Sequence, residues 1–519
     1  MIVRRWNRHV ILGVVMVAIA AGTVRGADHP LTLTEAIQRA IENNNEILIG
    51  KESLAAAAAA VSGAKGAYDP RLEVAGGWQR SSAPVNSSFS GAPEGEFAPT
   101  NKAADGSVSI RQLLPTGGLV SVGGRASKET TDGTLALLTP AYGTQVGVEL
   151  RQPLLRDLVA DPARLSVRVA RSELQAAAAD LRRTVTDAVA SVEEAYWALV
   201  AARLGQEVRD EAVRLAQEQL GETGTRVESG SVPETELAQP RAELERRTGD
   251  QLASREQVSR AENALKLLIL GDDDPLWHDR IVPVDAATVE PAPVDVDSLL
   301  ETALRVRPEL QMGEAGVERR RAETAYARNA VWPSLDAVVS YDRFGLAGSR
   351  NPANPEGMLP SSMEGDLGQS FEKLGDGDFD AVRVGLVLGF PIRNRTARAA
   401  AVSARSVERQ AEANLAQVRK MIRAEVLDAA AGLETAGQRI TAARAGRDAA
   451  QVQLSAERDR YAAGLSTNFL VLTRQNDLSR ARLDEISSLI DYRTARTEMA
   501  RATGSLIEAR GIDLGEATP

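Results

Sequence analysis

The sequence predicts an α+β protein built from an internally duplicated unit, each half running short helix, strands, long helix, helix. Three observations predict it. The two halves align with each other at matched motifs. Long heptad-patterned stretches are interrupted by amphipathic segments of strand length. Beyond the leader, no segment reads as apolar enough for a spanning helix, and only helices and closed barrels satisfy their backbone in lipid. The mature chain is therefore either soluble outside the cytoplasm or crosses a membrane as a β-barrel.

The chain opens with Arg4, Arg5 and Arg8, then the apolar run "VILGVVMVAIAAG" (10–22), with Val24 and Gly26 before Ala27. An apolar core of about thirteen residues is short of the roughly 20 that span a bilayer. Residues 1–26 are expected to be a cleaved signal peptide rather than an anchor. The 519 residues exceed one ordinary soluble domain, and the net charge of −10 argues against nucleic acid as a partner. There is no cysteine, and the three histidines, His9, His29 and His278, stand apart from one another. Disulfides, thiolate metal sites and histidine-based triads have nothing to work with. No catalytic, cofactor-binding or metal site is expected. A hydrolase using carboxylates alone would need a shaped pocket, of which the pattern gives no sign.

Residues 44–74 align without a gap to 307–337, with Glu46 on Glu309, Pro70 on Pro333 and Leu72 on Leu335. Residues 146–156 align to 384–394, Pro153 on Pro391. Within a unit, residues 33–67 are expected to be one helix, capped by Thr32 or Thr34 and ended before Pro70. Four strand candidates follow, "RLEVAGGWQR", "GSVSIRQLL", "LVSVGGRAS" and "TQVGVELRQ", with turns such as "PTGG" (115–118) between them. Each has about nine or ten residues, the length of a tilted strand that crosses a bilayer. From about Ala163 the period becomes helical. Leu174, Ala178, Leu181, Val185, Ala188, Val192, Ala195 and Leu199 form a heptad seam with alanine at alternate positions. Ala429, Leu433, Ala436, Ile440 and Ala443 repeat it in the second half. There the strands are expected near 334–343 and 381–390, around a Gly/Pro-rich loop at 345–378.

Each long helix, about 65 residues and hence about 100 Å, is expected to end at a glycine. The breaks read "RVESGSVPETEL" (226–237) and "RYAAGLSTNFL" (460–470). Gly230 and Gly464 suit the left-handed residue that ends a helix. Ser231 with Glu234 suggests a capping box, and Ser466 or Thr467 an N-cap for the last helix.

Taken in order and spacing, these motifs resemble the TolC-type outer-membrane efflux proteins. The carriers are "LTLTEAIQRAIENNNEI", the junctions "QPLLR" and "FPIRNR", "EEAYWALVAAR", "RYAAGLSTNFLVLTRQNDLSRARL" and "YRTARTEMARATGSL". The resemblance implies a homotrimeric outer-membrane β-barrel continuous with a long periplasmic α-helical barrel. It implies a passive duct for a tripartite efflux or type I secretion system, with a periplasmic adaptor (membrane fusion) protein, an inner-membrane transporter and outer-membrane lipid as partners. It also implies a periplasmic gate, with Tyr461 on the family's tyrosine and Thr235 and Glu236 on its threonine and acid. Tyr461 would donate its hydroxyl to Glu236 of an adjacent hairpin. Ser466 stands where the family has an arginine, and Leu470 and Thr473 where some members carry inward acids, so the closing network is incomplete. Gly230, Ser231, Gly464 and Leu465 fall on the family's adaptor-docking tips.

The expected organisation is a signal peptide (1–26), a first repeat (27–271), a linker (272–296), a second repeat (297–507) and a tail (508–519). Two strands per half would give a twelve-stranded barrel in a trimer. The extra first-half hairpin around "LLPTGG" either decorates that barrel or widens it. The competing reading is a soluble periplasmic scaffold of coiled-coil hairpins, which leaves the matched amphipathic strands unexplained.

Overall fold

The computed structural model describes residues 27–84, 86, 91–94, 96–286, 294–353 and 360–512. The expected signal peptide and residues 513–519 of the tail lie outside the described residues. In chain order the elements are β1 (Asp28–Leu31), α1 (Leu33–Asn43), α2 (Asn45–Lys65), β2 (Arg71–Ser82), β3 (Thr100–Leu113), β4 (Leu119–Thr131) and β5 (Leu138–Pro153). Then come α3 (Pro162–Glu228), α4 (Ala238–Ile269), β6 (Arg280–Pro283), α5 (Val296–Val306) and α6 (Pro308–Asn329). The chain closes with β7 (Ser334–Arg350), α7 (Leu367–Asp376), β8 (Asp380–Gly389), α8 (Arg395–Ala462), α9 (Asn468–Thr503) and α10 (Leu506–Ala509).

The expected helix over 33–67 is broken, and its counterpart is broken at the matched place. Asn44 is extended (φ −70°, ψ 124°) between α1 and α2, and Arg307 (φ −56°, ψ 126°) between α5 and α6. Asn43 and Asn44 donate their side-chain amides to the carbonyls of Ile269 and Leu268, closing the end of α4. Pro308 begins α6, where a missing amide costs nothing. Thr32 forms the capping box with Glu35 at the start of α1. Contrary to the sequence expectation, one stretch after the leader, Asn45–Tyr68, is long and apolar enough to cross a membrane by length and composition. Its hydropathy comes from the alanine run 55–60.

The chain divides into two compact units, one drawing on the chain up to Asn44, Ser191–Pro291 and Thr435–Thr494, the other on the remainder. In the first, β1 and β6 pair in parallel, so the expected linker carries a strand. Tyr196 is fully buried and donates its hydroxyl to Asp285 Oδ2 (2.5 Å). Burial and the neighbouring carboxylate push that hydroxyl well above the ordinary tyrosine range. Trp197 stacks edge-on against Tyr196 and lies 4.6 Å from the Arg493 guanidinium. The "AYW" motif is thus core.

In the second unit, Ala303, Leu310, Ile422, Val426 and Ala502 form one apolar cluster, and Val61, Ala170 and Leu174 another. Beside the first lies an ionic cluster. Arg307, 6% exposed at its side chain, pairs with Glu309 (2.8 Å) and Glu425 (2.9 Å) and donates to the Ala502 carbonyl (2.8 Å). Arg501 pairs with Glu425 and Glu498, each at 2.6 Å. The heptad seam is confirmed by burial: Leu174, Leu181, Val185, Ala188, Val192 and Leu199 are buried, and Ala178 and Ala195 half-buried.

The main sheet has six antiparallel strands in the order β2-β3-β4-β5-β7-β8. Four come from the first half and two from the second. All but β8 run longer than expected, up to 17 residues in β7. Part of the expected 345–378 loop is ordered differently. Residues 345–350 continue β7, and α7 is capped by Asp366, whose carboxylate accepts from the amides of Gly368 and Gln369, and closed by the left-handed Gly377 (φ 75°).

Candidate functional site

Two places in the fold bear on function: the main sheet and the paired helix turns. The register assigns each sheet residue to a face, because residues directly opposite in neighbouring strands point the same way. One level of the ladder reads Leu72, Ile110, Val122, Val148, Tyr341, Val382 from edge to edge. The level beside it reads Val74, Val108, Gly124, Val146, Arg343, Asp380. Trp78 of β2 and Val384, Leu386 and Leu388 of β8 extend this apolar face, all of them exposed.

The opposite face is polar. Its side chains include Glu73, Ser107, Ser109, Arg125, Glu149 and Asp342. Diagonal neighbours cross this face as ion pairs. They are Arg111–Glu73 (3.6 Å), Arg125–Asp105 (3.4 Å) and Arg151–Asp336 (2.6 Å). Gln145 donates to Asp342 at 3.1 Å. α7 covers one end of the apolar face, where Thr144 donates to the Ser370 carbonyl (3.0 Å) and Ala347 is buried; beyond it, among the described residues, the apolar side has no cover of its own. A large exposed apolar surface of this kind marks contact with lipid or protein.

At the helix turns, both glycines adopt the expected left-handed conformation, Gly230 at φ 71° and Gly464 at φ 73°. The bonding is the same in both. Ser231 N–H donates to the Arg226 carbonyl (2.9 Å) and Gly230 N–H to Val227. Leu465 N–H donates to the Arg460 carbonyl (2.8 Å) and Gly464 N–H to Tyr461. This is a Schellman end, which satisfies carbonyls the helix leaves open. No atom lies within 4 Å of an added Cβ at either glycine, so the requirement is conformational and the surfaces are open.

The two expected serine caps differ, while Thr467, the other cap expected for the last helix, takes its place. Ser231 shares a hydrogen bond with Ser229 (2.9 Å) instead of capping, because Pro233 starts a 3-10 turn over Glu234–Leu237 before α4 begins. Ser466 donates to the Glu457 carboxylate rather than capping α9. The Thr467 carbonyl accepts from Val471 and takes the cap position.

Of the expected gate residues, Tyr461 is half-buried, while Thr235 and Glu236 are exposed. No hydrogen bond joins Tyr461 to Glu236 within the chain. Its ring instead lies 4.5 Å from the Arg226 guanidinium, which ties the first helix turn to the second. Ser466 is held by Glu457, which also pairs with Arg460 (3.6 Å). Sequence reasoning missed Arg226, although an arginine at the same place before each glycine was visible. It also missed Asn468, whose buried side-chain oxygen and nitrogen both lack a hydrogen-bond partner. A cleft of about 700 Å³ beside Tyr461 is lined in part by Glu218, Glu222, Arg226 and Arg458.

The cation–ring contact is worth about 0.5–1 kcal/mol at a half-exposed site. Arg226→Ala should therefore quicken amide exchange over residues 459–467, whereas Tyr461→Phe, which keeps the ring, should not. Equal quickening in both would assign the link to the hydroxyl.

Among the described residues, no group of three or more His, Asp or Glu side chains is placed to hold a metal ion. The chain matches the family described as "Outer membrane efflux protein" over residues 36–271 and 299–505. Its structure is similar to the CmeC outer membrane channel of Campylobacter jejuni, at 17% identity and a TM-score of 0.65, over 93% of this chain and 90% of that one. It is similar to the outer membrane protein VceC of Vibrio cholerae, at 16% identity and a TM-score of 0.62, over 91% and 96%. It is also similar to the open state of the MtrE outer membrane channel of Neisseria gonorrhoeae, at 17% identity and 0.57, over 91% and 89%. At these identities the likeness is one of fold. No curated protein sequence matches the chain.

Proposed function

The chain belongs to the outer membrane efflux protein family, and from that premise we propose that it works as a passive homotrimeric exit duct, fed by an inner-membrane transporter through a periplasmic adaptor. It is an outer-membrane efflux channel protein and not an enzyme. The observation that carries the finer reading is the two-faced sheet. An apolar face suits lipid, a polar face suits a water-filled lumen, and β2 and β8 are edges within the chain. Unpaired strand edges are untenable in hydrocarbon, so other copies must supply the missing pairs. A soluble scaffold would leave that apolar face in water.

In this reading the gate comprises Tyr461, Glu236, Thr235 and Ser466, with Arg226 added. Tyr461 would reach Glu236 only on another chain. The tips for adaptor hairpins are Gly230, Ser231, Gly464 and Leu465, where the open surface around each glycine admits a backbone at close range. Native mass spectrometry from detergent tests the assembly itself. Three copies are expected, and a monomer carrying no conductance would sink the duct.

A further inference from the structure

We propose that residues 100–131 are an insertion into the barrel wall, so that the assembled channel has eighteen strands and a bore about 1.5-fold wider than a twelve-stranded one. The proposal rests on the trimeric reading above and adds the identity of the wall. β3 and β4 lie within the sheet, not beside it. β2 pairs along its whole length with β3, from Arg71↔Arg111 to Ser82↔Thr100. β4 pairs with β5 from Leu119↔Arg151 to Glu129↔Ala141. At 14 and 13 residues they exceed the roughly 9–11 that cross a bilayer.

Their faces agree with the rest of the wall. Val108, Ile110, Val120 and Val122 continue the apolar face, and Ser107, Ser109, Ser121 and Arg125 the polar one. The ion pairs Arg111–Glu73 and Arg125–Asp105 tie the hairpin to β2 and to itself on the polar side. A hairpin decorating the outside of a barrel has no reason to alternate in phase with it.

The occupant of the two edges is a second copy of this chain. An even number of strands leaves β2 and β8 antiparallel to each other across a copy-to-copy junction, so the ladder closes with one kind of pairing throughout. Both edge strands are exposed almost along their length in the single chain.

The chain has no cysteine, so engineered pairs read cleanly. In the outer membrane, Val74→Cys with Val108→Cys and Val122→Cys with Val148→Cys should each form an intrachain disulfide, and Val74→Cys with Val146→Cys should not. If the hairpin leaves the wall, β2 meets β5 directly and only the last pair forms, which overturns the proposal. Should a double variant fail to assemble, single cysteines at Ile110 and Ser109 carrying an environment-sensitive dye serve instead. The first should report lipid and the second water, and water at both counts against the insertion. Electron cryomicroscopy of the extracted particle separates the two levels. A trimer with eighteen strands supports the proposal, a trimer with twelve overturns it while sparing the assembly, and any other oligomer overturns both.

Discussion

Val148→Arg should remove the protein from the outer-membrane fraction, while Glu149→Arg, one residue along β5, should leave it there. Val148 is 42% exposed on the apolar face of the sheet, level with Val122 on one side and Tyr341 on the other. A guanidinium facing lipid near the bilayer midplane costs about 2–4 kcal/mol per chain, and the cost recurs in every copy of the assembly. Glu149 pairs with Ser121 and Ser340 on the polar face, where an arginine meets water. The measurement is the amount of folded, heat-modifiable oligomer recovered from outer membranes. Equal recovery of the two variants would mean that the apolar face does not meet lipid.

Much of this was legible because two periods separate cleanly. Alternation marked β2, β3, β4 and β5, and the seam from Leu174 to Leu199 marked α3. What the periods could not supply was adjacency. Whether the "LLPTGG" hairpin stood in the sheet or outside it depended on which strands pair, and a period-two pattern is the same in either case. Short elements escaped for a related reason. β1 and β6 have four residues each, too few to show a period. The ten residues of α7 lie in a stretch rich in glycine, where the capping Asp366 and terminating Gly377 were the only local signals.

At the candidate gate, sequence chemistry located the turns and misassigned the hydroxyls. Gly230 and Gly464 were readable because a left-handed helix end strongly favours glycine. Ser466 fits an N-cap by position, but Glu457, one turn before the end of α8, captures its hydroxyl. A charge-assisted bond to a buried carboxylate outweighs a neutral cap. The Arg226–Tyr461 contact joins residues from different halves, and no local rule reports on such a pair.

Arg307→Leu should cost about 3 kcal/mol of stability at neutral pH, the lower end of the range for breaking a buried ion pair. The lower end applies because the partner carboxylates Glu309 and Glu425 remain 27% and 29% exposed. Arg307 marks the place where the second repeat breaks between α5 and α6, and its guanidinium binds Glu309, Glu425 and the Ala502 carbonyl together. Removing it strands Glu309 and the Ala502 carbonyl, while Glu425 keeps its pair with Arg501. The loss should also depend on pH. Burial pushes Glu309 up, but the hydrogen bond from Arg307 and its charge outweigh this and hold the carboxyl below the usual range. A group depressed in the folded state stabilises it above the unfolded carboxylate pKa, about 4.3, and loses that contribution as pH falls through the folded value. Without Arg307 the burial of Glu309 is opposed only by the bond from its own backbone amide and by the more distant Arg183, so its carboxyl rises and protonation relieves the variant as pH drops. The gap between the two proteins should therefore be widest near pH 7 and narrow toward pH 4. Glu498, held low chiefly by its hydrogen bond from Arg501 and to a lesser degree by the Arg307 charge, loses less in the variant as pH falls, which narrows the gap in the same direction. Thermal unfolding in detergent, followed by tryptophan fluorescence at several pH values, measures it. A gap that stays constant from pH 7 to pH 4 would mean that Arg307 acts by packing and not by charge.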